Sequence, residues 1–194
     1  EEKRSKSQSK PKEGKQTVAM FTETTAGKVT LMGIAQGTVA NPKDKDVIMP
    51  KQNLLLDTCS EETFVTRQRA DRLKLPILGT RTQRIEAFEH TSVTKSFDVT
   101  QLMVNGRKGK VMLECLIADH IVKPIHTTGW KNAKRAFPDL NLTQLDSSPF
   151  EVNIMVGVDQ LFKIRRPGIK RNGSLEARDS ILGWTVDGPL DTMK

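Results

Sequence analysis

A chain of 194 residues, 36% of them hydrophobic and 28% charged, has enough apolar sequence for one packed core and is too short for two domains. No apolar run reaches the roughly 18 residues of a membrane span. The opening EEKRSKSQSKPKEGK lacks the apolar centre of a secretory signal, and two cysteines are too few for a disulfide framework or a zinc site, so the chain reads as intracellular, cytoplasmic or nuclear, with both thiols reduced.

The net charge of +8 raises nucleic acid as a partner, but aromatic residues make up only 5% and tyrosine is absent, leaving few platforms on which bases can stack. Residues 1–16 are Lys, Ser, Gln, Pro and Glu almost throughout. They read as a basic disordered linker or arm whose partner chemistry is weak, salt-sensitive contact with nucleic acid. The folded domain is expected over 17–190, with 191–194 a tail. A second basic cluster, at Lys163, Arg165, Arg166, Lys170 and Arg171, reads as solvated surface, with weak, salt-sensitive phosphate binding as the alternative.

Residues 29–39 alternate apolar and polar side chains with β-branched enrichment, which predicts a strand, and Asn41-Pro42-Lys43-Asp44 predicts a turn. Short apolar runs at 47–49 and 53–56 follow. The second, Leu54-Leu55-Leu56, reads as a buried strand that stops at Asp57. Ser60 as N-cap, with Glu61 and Glu62 in the first turn, predicts a helix from 61 to about 73, ended by Leu75-Pro76. Residues 81–88 and 93–104 alternate as a hairpin with its tip at 89–92. Asn105-Gly106 predicts a tight turn into a strand at 110–118. Beyond it the pattern predicts a helical piece at 130–136, an irregular loop at 139–150 and a buried run at 152–156 ending in Gly157. A helical turn at 159–164 and a last strand at 180–186 complete it.

The unit Leu54-Leu55-Leu56-Asp57-Thr58-Cys59-Ser60 combines an apolar strand that excludes water, a carboxylate at its end, and a neighbouring hydroxyl able to lock a turn. A buried aspartate beside a like charge has its protonation perturbed, as acid–base catalysis by paired carboxylates requires. Taken alone, the heptapeptide also reads as an ordinary strand-exit aspartate capping the next helix.

Apolar-apolar-Asp-Thr at 55–58 is followed by Thr63-Phe64-Val65, then by Ala70-Asp71-Arg72-Leu73-Lys74-Leu75-Pro76, and far downstream by Ile154-Met155-Val156-Gly157-Val158-Asp159. Together these resemble the retropepsin-like aspartic proteases, above all the protease region of BEL/Pao-type LTR retrotransposon polyproteins. The resemblance runs from about residue 31 to 189 and includes the closing Gly183-Trp184-Thr185-Val186-Asp187-Gly188-Pro189. It implies a mainly β fold, a closed β-barrel with two or three short helices forming one lobe of a homodimer, with 154–157 threading beneath the Asp57 turn. It implies an aspartic endopeptidase acting on peptide bonds of its own polyprotein, with water activated between two Asp57 carboxylates, one per subunit. Thr58, Cys59, Ser60 and Gly157 would support the turn, and Phe88, Glu89, His90 and Thr91 would form a flap over an extended polypeptide substrate. No cofactor, metal or membrane is implied.

Two departures from that pattern stand out. Cys59 occupies a position that is normally glycine, where two backbones approach closely, and 87–91 is glycine-free where the family often has glycines. Cys59 gives a second reading, a catalytically inactive dimerisation or peptide-binding module with the protease fold. Cys59 itself is read as a small buried hydrophobe rather than a nucleophile. His90, His120 and His126 lack metal-ligand spacing and are read as satisfied or surface histidines.

Overall fold

The computed structural model describes residues 29–86, 92–125, 129–142 and 149–190. The arm at 1–16, the flap residues Phe88, Glu89, His90 and Thr91, His126 and the tail at 191–194 lie outside the described residues.

In chain order the strands are β1 (Val29–Leu31), β2 (Ile34–Ala40), β3 (Ile48–Leu56), β4 (Phe64–Thr66), β5 (Gly79–Glu86), β6 (Ser92–Gly106), β7 (Gly109–Ala118), β8 (Ile154–Val156), β9 (Arg165–Asn172), β10 (Leu175–Ser180) and β11 (Thr185–Leu190). Three short helices accompany them: α1 (Arg67–Arg72), α2 (Trp130–Ala136) and α3 (Val158–Ile164). The protein is therefore mainly β. Among the described residues no helix is long and apolar enough to cross a membrane.

Strands β2, β3, β8, β4, β7 and β6 follow one another in hydrogen-bonding order, and β6 pairs with β2, so they form a ring within one sheet. β5 extends that sheet beyond β6. A second sheet has the order β1-β11-β10-β9. Because side chains alternate along a strand, each ring strand feeds two cores. Ala35, Leu54, Val65, Leu102, Leu113 and Ile154 pack together on one face, each without exposed surface. Ile34, Leu55, Phe64, Leu116 and Met155 pack on the other, under Ile121, Ile125, Phe150 and Val152. The second sheet packs Leu175, Ala177 and Val186 with Ala133 of α2 and Phe137.

Several expectations are corrected. The strand expected at 29–39 breaks at Met32-Gly33, where the chain leaves one sheet for the other. The runs at 47–49 and 53–56 are one strand, because a register shift between Gly37 and Val39 of β2 accommodates Pro50 and Lys51, the latter at φ 51°. The helix expected from 61 to 73 is only α1, preceded by β4, and Thr66 rather than Ser60 caps it by accepting from the Arg69 N–H. The capping signal at Ser60 is local, whereas Phe64-Val65-Thr66 is fully buried and pairs on both flanks, parallel to β7 and antiparallel to β8. That tertiary pairing overrides the propensity. The turn expected at Asn105-Gly106 closes one step later, over Arg107-Lys108, with Gly106 opposite Gly109. The strand expected at 180–186 is split: Ser180 ends β10, a turn fills 181–184, and Thr185-Val186 begin β11, while the hairpin of β9 and β10 has no counterpart in the expected elements.

Candidate active site

Leu54, Leu55 and Leu56 are buried because β3 is flanked on both sides at this end. β2 runs antiparallel to it (Leu54 opposite Ala35), and β8 runs parallel to it (Leu56 opposite Val156). The ladder continues one step past the strand: the Asp57 N–H donates to the Val156 carbonyl at 3.0 Å, and the Leu56 N–H to the Gly33 carbonyl at 2.9 Å. Asp57 is thus held at the C-terminal end of a central strand, half-buried. Its Oδ1 accepts from the Cys59 N–H at 2.8 Å, an Asx-type turn that fixes the carboxylate toward its own backbone.

The connection 57–63 then arches over the end of β8. Beneath it lies Gly157. The Ser60 carbonyl accepts from the Val158 N–H at 2.9 Å, and the Ser60 hydroxyl donates to the Glu62 carbonyl at 2.8 Å. Thr63, buried, accepts from the Gly157 N–H at 3.1 Å and donates to Asp159 Oδ1 at 2.7 Å. A Cβ on Gly157 would lie 2.5 Å from the Glu62 carbonyl oxygen and 2.8 Å from that of Ser60. The structure therefore brings Asp57, Ser60 and Gly157 together and stacks the two distant segments edge to edge.

Thr58 and Cys59 lie on the same turn and are exposed in the single chain. The reading of Cys59 as a buried hydrophobe is corrected: the Asx turn carries its backbone back to Asp57 and leaves its side chain facing solvent. Cys115 is the buried cysteine, and burial pushes its thiol well above the usual range.

Residues that sequence reasoning missed tie the turn to the β5–β6 hairpin. Arg81 bridges Glu62 (3.2 Å) and Glu114 (2.5 Å), and the Gln83 side chain donates to Glu62. Alternation put Arg81 and Gln83 on one face of a strand, yet nothing local named Glu62 and Glu114 as partners. Burial raises Glu62 above the usual glutamate value, with Asp159 and Glu114 pushing the same way against the opposing pull of Arg81. The native state thus binds this proton more tightly than the unfolded chain. Ionised Glu62 costs stability at neutral pH, a cost absent below the ordinary glutamate value of about 4.3, where both states are protonated. Glu62→Gln, whose one carbonyl oxygen still accepts from Arg81 and whose NH2 can donate to the oxygen of a turned Gln83 amide, is expected to raise the melting temperature at pH 7. The gain should shrink to nothing on titration toward pH ~4. An equal gain at both pH values would contradict that assignment.

Among the described residues no group of three or more His, Cys, Asp or Glu side chains is placed to hold a metal ion. The site's chemistry is that of a half-exposed carboxylate on a braced turn, beside exposed Thr58 and Cys59, at the foot of a hairpin. One such carboxylate can take or give a proton, and two facing each other can do both at once. No family model matches the chain, and no curated protein and no solved structure matches it significantly.

Proposed function

We propose that the chain is one lobe of a homodimeric, retropepsin-like aspartic endopeptidase, its ring of strands serving as the barrel and its substrate an extended polypeptide, including the polyprotein that carries it. The observation that supports this most directly is the Asp57 turn. A half-exposed carboxylate stands at the end of a buried central strand, on an arch braced against Gly157 by Thr63 and Ser60. Two such turns meeting across a two-fold axis place two Asp57 carboxylates together, holding one proton between them because two like charges in contact do not both ionise cheaply. The ionised carboxylate removes a proton from water as it attacks the scissile carbonyl; the protonated one hydrogen-bonds the carbonyl oxygen and then supplies the leaving nitrogen with a proton. The exposed Thr58 hydroxyls are available to bond across the axis. The substrate lies under the β5–β6 hairpin and pairs as a strand. The test is cleavage of a peptide spanning the protein's own flanking sequence at mildly acidic pH, wild type against Asp57→Asn.

A second reading is favoured by one residue. Cys59 puts a side chain where the paired turns come closest, and a displaced carboxylate pair loses rate steeply. On this reading the protein dimerises and holds extended peptide without cutting it. Cys59→Gly separates the two. If the wild type is already an enzyme, the variant's kcat/KM stays within about tenfold of it. If the wild type is silent and the glycine variant cleaves, the protein is a binding module.

A further inference from the structure

The basic cluster that the sequence presents as solvated surface is assembled by the fold into one rim. β9 is an edge strand of the β1-β11-β10-β9 sheet and carries Arg165, Arg166, Lys170 and Arg171. The Arg107-Lys108 turn reaches the same edge, since Lys108 and Arg166 (3.5 Å) both pair with Asp179. The end of α2 reaches the far end of β9, where Asn172 Nδ2 donates to the Ala136 carbonyl at 2.8 Å, beside exposed Lys134 and Arg135.

The anions here are too few for the cations. Asp179 is shared by two cations, and Glu176 is shared by Arg171 (2.8 Å) and Arg178 (2.5 Å). Each carboxylate therefore leaves one positive charge over. Lys170 has no ion pair among the described residues, and Lys163 donates only to the Met112 carbonyl and Gln160. Burial, then repulsion from Arg178, holds Arg165 below the usual arginine value, while Asp187 and Glu176 pull it the other way.

An unpaired edge invites a peptide strand, but this one is built against it. Pro167 removes a backbone donor, and the flanking Arg and Lys side chains blunt edge pairing. A single lysine suffices for that purpose, so the surplus of cations calls for a second explanation. With backbone pairing discouraged, recognition falls to guanidinium forks and ammonium groups, whose best partner is phosphate. We infer that the rim formed by β9, the Arg107-Lys108 turn and the end of α2 binds the phosphate backbone of a nucleic acid. This is a site in the folded domain, separate from the basic arm at 1–16 and independent of peptide cleavage.

The test is anisotropy of a fluorescein-labelled oligothymidylate of about 20 nucleotides with the full chain over a salt series. The comparison is the triple variant Arg166→Gln, Lys170→Gln, Arg171→Gln. Asp179 keeps Lys108 and Glu176 keeps Arg178 in that variant, so its melting temperature should match the wild type. Affinity should fall by roughly tenfold or more at low salt, and the slope of log K against log salt should flatten by about 2, at ~0.7 per lost single-strand phosphate contact. Should the triple variant fold poorly, Lys170→Gln alone should flatten the slope by ~0.7, and photo-crosslinks should map to 163–172. The inference is overturned if affinity and slope are unchanged while neutralising Lys3, Lys6, Lys10, Lys12 and Lys15 removes binding. It is equally overturned if a polyglutamate peptide of matched charge binds the rim as tightly as the oligonucleotide at the same ionic strength, which would make the rim a surface for acidic protein.

Discussion

On the proposed mechanism, Asp57→Asn is expected to abolish peptide cleavage, with kcat/KM falling by at least ~10³-fold, and to leave the fold and the proposed dimer intact. In a homodimer one substitution removes both the acid and the base, and positioned proton transfer alone contributes about 10²–10⁴-fold. Stability should barely change. Asp57 is half-buried, and asparagine retains an oxygen to accept the Cys59 N–H that Asp57 Oδ1 now accepts at 2.8 Å, so the cost should stay within the ~0.5 kcal/mol typical of surface changes. Mixing the two proteins sharpens the result. If catalysis needs one Asp57 from each subunit, an equimolar mixture allowed to exchange keeps only about a quarter of the wild-type activity, because only wild-type pairs work. If each chain cuts alone, about half survives. Peptide turnover against mixing ratio therefore reads the shared site directly: a linear decline would refute the paired-carboxylate mechanism even if Asp57→Asn were inactive, and equal turnover by both proteins would end the enzyme reading.

How far the sequence reaches depends on whether the deciding interactions are local. Leu54-Leu55-Leu56 before Asp57 was legible because an apolar run ending in a carboxylate states both its burial and its limit. α2 was legible at both ends, opening at Trp130 after Gly129 and closing before Phe137-Pro138. The stretch 61–73 was misread because Ser60, Glu61 and Glu62 form a good local cap, while the deciding partners of Phe64-Val65-Thr66 lie on β7 and β8. β9 was invisible for a different reason. An edge strand with charge on both faces has no buried alternation to betray it, as its almost wholly exposed pattern shows. At the site, Asp57 and Gly157 could each be named, but the threonine that joins their segments is 94 positions from Gly157, and its place in Thr63-Phe64-Val65 names no partner. Nor did periodicity disclose that Glu62, Arg81 and Glu114 would meet.

Gly157→Ala should damage fold and activity together. Gly157 has extended backbone (φ −80°, ψ 174°), which any residue adopts, so conformational strain is not the issue. Space is. The added Cβ would lie 2.5 Å from the Glu62 carbonyl oxygen and 2.8 Å from the Ser60 carbonyl oxygen, both backbone atoms. Neither can swing aside as a side chain would, because the Ser60 carbonyl is bonded to the Val158 N–H and the Glu62 carbonyl to the Ser60 hydroxyl. The arch 57–63 must rise by ~1 Å to reach ordinary contact. That strains the Val158 and Thr63 bonds as it rises, at a cost of about 3 kcal/mol from overpacking and weakened hydrogen bonds. Because Asp57 begins the arch, the same shift misplaces the carboxylate, and a ~1 Å error costs on the order of 10²-fold in rate. Gly79→Ala is the control: nothing lies within 4 Å of its Cβ position, so it should be near-neutral in both stability and turnover. Denaturant melts with kcat/KM for the two variants decide the matter. A Gly157→Ala protein as stable as Gly79→Ala would mean that the arch does not rest on Gly157. One that is destabilised yet fully active would mean that the arch does not position Asp57.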